Sequence, residues 1–208
     1  IVMISTTGYA SRFNCGAIRA SGRVSGGVYG IKVSDRKGSG GGVVAGMVAM
    51  LSADEHILTI SKYGMAKRSR LGTAAKVPDT DAAGNPKFED DGSPKMATDG
   101  YRRTKPGAKG VRTMKLDEEQ DDSIISVRTI PDIDDHLFLL TKSGMMIRIR
   151  VSQTKETSGK STRGTRVMEL RDKQKGGFTD EIIFSSRVSA SLLDVDDEDE
   201  ESPLGEEE

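Results

Sequence analysis

Short apolar runs, each closed by a Thr/Ser-x-x-Gly turn, recur three times along the chain. Ile1-Val-Met-Ile-Ser-Thr-Thr-Gly8 aligns without gaps with Ile57-Leu-Thr-Ile-Ser-Lys-Tyr-Gly64 and with Leu137-Phe-Leu-Leu-Thr-Lys-Ser-Gly144. An arginine stands four residues after each glycine, at Arg12, Arg68 and Arg148. A second motif follows each first one: Gly27-Val-Tyr-Gly-Ile-Lys-Val33, Gly110-Val-Arg-Thr-Met-Lys-Leu116 and Gly164-Thr-Arg-Val-Met-Glu-Leu170. Such runs, bounded by Gly, Asp or Pro, are strand signals, and Ile57–Ser61, Ile124–Val127, Leu137–Thr141 and Ile182–Ser185 carry them most strongly. No window gives a helical stripe of three turns. Repeated supersecondary units of this kind bury their apolar faces against one another. The expectation is an all-β array of four-stranded blades, arranged as a pinwheel or propeller-like partial set of about three.

Spacing locates an insertion. The two motifs lie 19 and 20 residues apart in the outer units but 46 apart in the middle one. The excess falls between Gly72 and Gly100 and is rich in Asp, Gly, Pro and Ala, a composition that buries too little apolar surface to offset its ordering entropy. It reads as an inserted mobile loop. Blades are expected over about 1–50, 51–130 (with the loop 72–100 inside) and 131–193, followed by a disordered tail over 194–208. Three blades are fewer than the roughly four to eight of a closed propeller. Because Ile1 already aligns with a blade's first strand, the sequence reads as the C-terminal piece of a longer soluble protein. Its single Cys15 excludes an internal disulfide and suits a reducing cytoplasm, and no apolar run reaches the roughly 18 residues of a membrane span.

Charge alters the picture. The formal net charge is −1, yet residues 194–208 hold ten acidic side chains and no basic one. The remaining body has 31 bases against 22 acids, about +9. Its cations recur by position. Besides the repeated arginine, the loops before the second motif carry Arg19 and Arg23, then Arg102, Arg103, Lys105 and Lys109, then Lys155, Lys160, Arg163 and Arg166. Lys67, Arg70, Arg112 and Arg150 lie beside motif positions. Equivalent loops of an array share a rim, so these residues are expected to form a basic belt suited to duplex phosphates, which need charge and reach more than base stacking. With four Tyr, five Phe and no Trp, a stacking platform for single strands is not indicated.

Other motifs carry less. Gly159-Lys160-Ser161-Thr162 resembles the end of a phosphate-binding loop, but Thr154 stands where that loop needs a glycine. Lys37–Gly42 reads as a flexible connector. His56 and His136 share one repeat position and read as structural turn residues, since two His and one Cys make a thin zinc site. Asp117–Asp122 reads as a solvated acidic loop, and the nine Met as core filler. No nucleophile–base set or carboxylate pair converges, so no catalytic residue, cofactor site or metal site is expected in this chain.

The order of these motifs resembles the C-terminal domain of DNA gyrase A. Gly8-Tyr-Ala-Ser-Arg-Phe-Asn14 with Arg19 and Arg23 looks like a middle blade, Ile57–Arg68 and Leu137–Arg150 look like the last two, and the acidic end sits where that family often has one. The resemblance covers about residues 1–190. It implies the last part of a six-bladed β-pinwheel whose basic rim wraps duplex DNA with positive handedness, a non-catalytic module that supports ATP-dependent negative supercoiling by a type II topoisomerase. It further implies the remainder of gyrase A and the gyrase B protein as partners in a heterotetramer, ATP and Mg bound elsewhere in that complex, no membrane partner, and a bacterial cytoplasmic, chromosome-associated location. The DNA-cleaving tyrosine region, the first three blades and the Gln-Arg-Arg-Gly-Gly-Lys-Gly box are not present, and Tyr101–Gly110 is only a degenerate counterpart of that box. Alternatives are a topoisomerase IV domain that senses DNA geometry and a protein-interaction propeller. The acidic end is expected to compete with DNA for the rim.

Overall fold

A computed structural model describes residues 1–33, 42–81, 83–157, 162–170 and 179–193. The strands in chain order are β1 (Val2–Ser5), β2 (Tyr9–Arg12), β3 (Val44–Val48), β4 (His56–Ser61), β5 (Met65–Arg70), β6 (Lys76–Pro78), β7 (Met96–Thr98), β8 (Val111–Arg112), β9 (Ile124–Ile130), β10 (His136–Thr141), β11 (Met146–Arg150), β12 (Thr165–Arg166) and β13 (Ile182–Val188). One short helix, α1 (Ala190–Leu193), follows. The chain is all-β in architecture, as the repeat implies. The segment expected to form a disordered tail from residue 194 lies outside the described residues, as do Lys160 and Lys37–Gly41.

Each unit forms an antiparallel hairpin plus a returning strand, and the blade is completed by the unit that follows. The first sheet has the order β3-β1-β2-β8, the second β9-β4-β5-β12, and the third β13-β10-β11. Thus β8, from the middle unit, pairs with β2, and β12, from the last unit, pairs with β5. The register is the same both times: Ala10 faces Val111 and Tyr9 faces Arg112, while Ala66 faces Thr165 and Met65 faces Arg166. The blades are therefore interlocked rather than contiguous segments of sequence. Among the described residues, nothing pairs with the outer edge of β11.

The repeated glycine is what lets the neighbour in. Gly8 and Gly64 sit at φ +80° and +81°, and a Cβ on either would lie 2.7 Å and 2.3 Å from the carbonyl oxygens of Met114 and Met168, in the segments donated by the next units. Gly144 has the same backbone conformation, φ +90°, but meets nothing within 4 Å.

Alternation along the strands sorts side chains into two interblade layers. Val2, Ile4 and Ala10 of the first blade pack with Ile57, Met114, Leu116 and Val127. Leu58, Ile60 and Ala66 of the second pack with Leu137, Leu139, Leu170 and Ile182. The blades converge along β3, β9 and β13, whose backbones approach closely. Small residues permit that approach: Gly46 lies against Val127, and the Ser185 hydroxyl donates to Ser126 at 2.7 Å.

The insertion pairs its backbone as a ribbon where a loop was expected. β6 and β7 form a two-stranded ribbon, extended by bridges Thr80–Pro86 and Phe88–Pro94. Its neck is closed tightly. Tyr101 N–H donates to the Leu71 carbonyl at 2.9 Å, Thr73 N–H to the Asp99 carboxylate at 2.7 Å, and Ala74 N–H to the Asp99 carbonyl at 3.0 Å. The outer units have a 3-10 turn at this point (Cys15–Ala17 and Val151–Gln153). Paired backbone, not burial, holds the ribbon: most of its side chains are exposed.

Gly64→Ala and Gly144→Ala separate backbone strain from interblade packing. Both force alanine into a left-handed conformation, at about 1–2 kcal/mol. Only Gly64→Ala also displaces the exchanged segment, so its loss in urea unfolding should exceed that of Gly144→Ala by at least about 1 kcal/mol. Equal losses would show that the exchange through β12 does not bear on the second blade's stability.

Candidate nucleic-acid interface

The cations expected on one belt divide into two groups, and strand position decides which. Arg12 and Arg68 point into the next unit. The Arg12 guanidinium donates through Nη1 to the carbonyls of Leu71, Gly72 and Tyr101, at 3.1, 2.9 and 2.7 Å. Arg68 is 8% exposed and donates through Nε to the Thr154 carbonyl at 3.2 Å. These two are braces between blades, which corrects their reading as rim residues. A guanidinium turned inward onto carbonyls in this way is not presented to phosphate. Burial lowers the Arg12 pKa, and the nearby charge of Arg103 lowers it further, with Asp99 opposing. Arg148, at the same repeat position, is exposed because no following unit lies beside it among the described residues.

Lys67 is a second correction. It lies on the opposite face of β5 from Arg68 and is 2% exposed, beside a cavity of about 200 Å³ lined also by Ser69, Tyr101 and Thr113. Its ammonium donates to the Thr113 carbonyl at 2.5 Å, and desolvation lowers its pKa to about 8. Tyr101, fully buried next to it, bonds the Thr113 hydroxyl and has its pKa raised by burial.

The loop cations are exposed at equivalent crossings. Thr104 N–H donates to the Arg12 carbonyl and Thr157 N–H to the Arg68 carbonyl, so the loops before β8 and β12 cross the end of the preceding blade in the same way. Arg102, Arg103, Lys105 and Lys109 project from the first of these loops and are exposed; Lys155 and Arg163 are exposed on the second. Arg19 and Arg23 are exposed on the corresponding loop of the first unit. Lys160 lies outside the described residues. Lys109 and Arg112 both stack on the Tyr9 ring, 4.6 and 5.4 Å from its centroid, which holds two cations together at the edge of the first blade.

Several of these charges are paired with carboxylates. Arg70 meets Asp99 at 3.4 Å and Asp54 at 3.6 Å, Arg163 meets Asp117 at 3.1 Å, and Arg166 meets Glu169 at 3.2 Å. Exposed pairs of this kind are worth at most about 1 kcal/mol, so a phosphate can compete for the cation. Arg150 is exposed at the end of β11. Sequence reasoning missed Lys32 and Lys115, the lysines of the second motif itself, which are both exposed at one repeat position. Their recurrence was the signal that could have found them.

Other candidates take structural places. His56 bonds Glu156 at 2.8 Å, whereas the Nδ1 of His136 is buried without a partner. Among the described residues no three His, Cys, Asp or Glu side chains cluster as a metal site, and no helix is long and apolar enough to cross a membrane.

Lys67→Met should stabilise the fold. A lysine whose folded pKa is below its unfolded value loses stability at low pH, and stability rises as pH climbs from about 8 towards 10.5. Removing the charge should add on the order of 2–3 kcal/mol at pH 7 and abolish that rise. Urea unfolding at several pH values checks it; a variant that keeps the wild-type pH slope would show that Lys67 does not carry the effect.

Known proteins share this architecture. A family model described as "DNA gyrase C-terminal domain, beta-propeller" matches residues 1–39, 95–131 and 135–175, leaving out the insertion. The DNA gyrase A protein of Haloquadratum walsbyi is 28% identical over 83% of this chain and 16% of its own length. That of Campylobacter jejuni is 27% identical over 96% of this chain and 18% of its own. The chain thus spans less than a fifth of these relatives. Among solved structures, the C-terminal domain of DNA topoisomerase IV superposes with a TM-score of 0.65 at 18% identity, covering 97% of this chain and 51% of that one. The DNA gyrase A C-terminal domain gives 0.59 at 21%, covering 89% and 49%. With the family model covering more than half of its residues, this chain belongs to the DNA gyrase C-terminal domain family.

Proposed function

We propose that this chain is the DNA-wrapping module of a gyrase A-type protein, bending duplex DNA along its basic loops. The observation that carries this reading is the equivalent crossing of the loops before β8 and β12 over the preceding blades, each bringing exposed cations to the same side. In a pinwheel, successive blades would carry those loops round an arc. Bending a duplex over short lengths costs on the order of several kcal/mol, and distributed phosphate contacts offset it without base readout. The contacts assigned are Arg19, Arg23, Arg102, Arg103, Lys105, Lys109 and Arg163, with Lys32 and Lys115 added. In the parent protein, the wrap would present DNA to a catalytic core formed with gyrase B and driven by ATP. The chemistry would stay there, and this domain would be non-catalytic.

The fold is shared with the topoisomerase IV domain, so a module that holds DNA without wrapping it is the second reading. Nicked-plasmid ligation separates the two. Wrapping should leave a positive linking-number shift that grows with protein concentration, while binding without a shift would favour the second reading. Replacing Arg102, Arg103 and Lys105 by Ala should cut the salt dependence of binding by about three phosphate contacts and leave unfolding unchanged. An unaltered salt slope would remove that loop from the interface.

The acidic end, residues 194–208, would occupy the same cations in the absence of DNA. Tethering gives it a high effective concentration beside a body of opposite charge. Truncation after residue 193 should therefore tighten DNA binding, most clearly at low salt where screening is weak. Equal affinities of the two forms at low ionic strength would discard the competition.

A further inference from the structure

We infer that the cavity between the first and second blades binds a small oxyanion carrying two negative charges, held by the ammonium of Lys67 and the guanidinium groups of Arg70 and Arg112. Its walls come from β5, the neck of the ribbon, β8 and the crossing before β12. Its volume, about 200 Å³, is severalfold the roughly 30 Å³ share of one water, more than a lysine ammonium needs for its own relief.

The same position is closed in the first blade. Ser11, the equivalent of Lys67, bonds the Thr104 hydroxyl at 2.9 Å. Thr157 stands in the place of Thr104, since the N–H groups of the two donate to the carbonyls of Arg68 and Arg12. Thr157 instead lines the cavity. Where the first blade has a closed hydroxyl contact, the second has an open space and a buried cation.

Charge in that space favours an anion. Among the described residues, three cations line it against two carboxylates, Asp99 and Glu156. Both carboxylates are engaged elsewhere. Asp99 accepts from the Thr73 N–H and hydroxyl at 2.7 and 2.8 Å. Glu156 pairs with His56 at 2.8 Å and lies 4.0 Å from Arg68. Arg70 is shared with carboxylates only in exposed pairs, which an anion can displace. The hydroxyls of Ser69 and Thr157 add neutral donors. Burial weakens the hold of Lys67 on its proton, and an anion beside the ammonium restores it.

A duplex phosphate is the other source of this chemistry. Lys67 is 2% exposed, so a free anion entering the cavity can meet it and a duplex lying on the rim cannot.

Sulfate is the probe, without DNA, so the outcome stands apart from the wrapping reading. Sulfate keeps its double charge at neutral and alkaline pH, whereas phosphate titrates near neutrality. Urea midpoints at rising sulfate, up to about 50 mM with chloride holding ionic strength constant, should show a saturable gain over the chloride control. At about pH 9 the affinity should be about tenfold weaker than at about pH 7, because Lys67, with a pKa of about 8, is largely neutral at the higher pH. Of the groups facing it, Asp99 has its pKa lowered and Tyr101 raised, both away from that window. Arg70, Arg112, Glu156 and, through Glu156, His56 complete the charged surroundings. Lys67→Met should lose the saturable gain, so that sulfate narrows the stability gap between this variant and the wild type. The same saturable gain in Lys67→Met would place the anion on the rim and overturn the inference. Equal wild-type affinities at the two pH values, or no gain beyond the chloride control, would overturn it as well.

Discussion

Everything in this array depends on one backbone arrangement: the pairing of an exchanged strand with the hairpin of the unit before it. A hairpin alone is marginally stable, and a single blade has apolar residues on both faces. Exchange joins one unit to the next through main-chain hydrogen bonds, and the interblade layers form only once the units are held face to face. Gly8 and Gly64 are placed where a side chain would collide with the incoming carbonyl. Arg12 and Arg68 then reach over the joint and satisfy carbonyls at the start of the next crossing. The motif glycine and the motif arginine are thus two halves of a single joint.

That joint was only partly legible in the sequence. The spacing of Gly8, Gly64 and Gly144 and of the second motifs announced a repeat, and the short apolar runs such as Leu137–Thr141 announced strands. Neither signal says whether a repeat's last strand pairs within its own unit or with its predecessor. The apolar pattern of Gly110–Leu116 is the same in both cases, and only the register Ala10–Val111 decides it. The insertion was hidden for a related reason. Its composition lacks a buried face, but backbone pairing between β6 and β7 and the clasp of Asp99 on Thr73 and Ala74 need none.

The candidate site shows the same limit. Recurrence of Arg12, Arg68 and Arg148 was read as function, and at the first two positions it is packing. The recurrence is real, but strand positions alternate between interblade layers, so a cation there is captured by its neighbours. Arg68 turns to one layer and Lys67 to the other; neither faces solvent. Loop cations escape this because a loop crossing a blade end presents its side chains outward, as at Arg102 and Arg103. Sequence shows which residues repeat, whereas the topology shows which repeats are internal.

Burying Lys67 illustrates what the array tolerates. The equivalent residues are Ser11 and Ile147, so the layer accepts a small polar, a branched apolar or a long charged side chain at one position. Lys67 survives there because its ammonium finds the Thr113 carbonyl at 2.5 Å and a cavity relieves its volume. The desolvation that lowers its pKa is local to that joint. An array whose joints each combine a short backbone pairing with their own apolar layer can vary those layers one at a time, and it can bear a costly residue in one joint without losing the others. The exposed loop cations Arg102 and Lys105 are less constrained than the strand cations, whereas Lys109 and Arg163 also touch the preceding unit, at Tyr9 and Asp117.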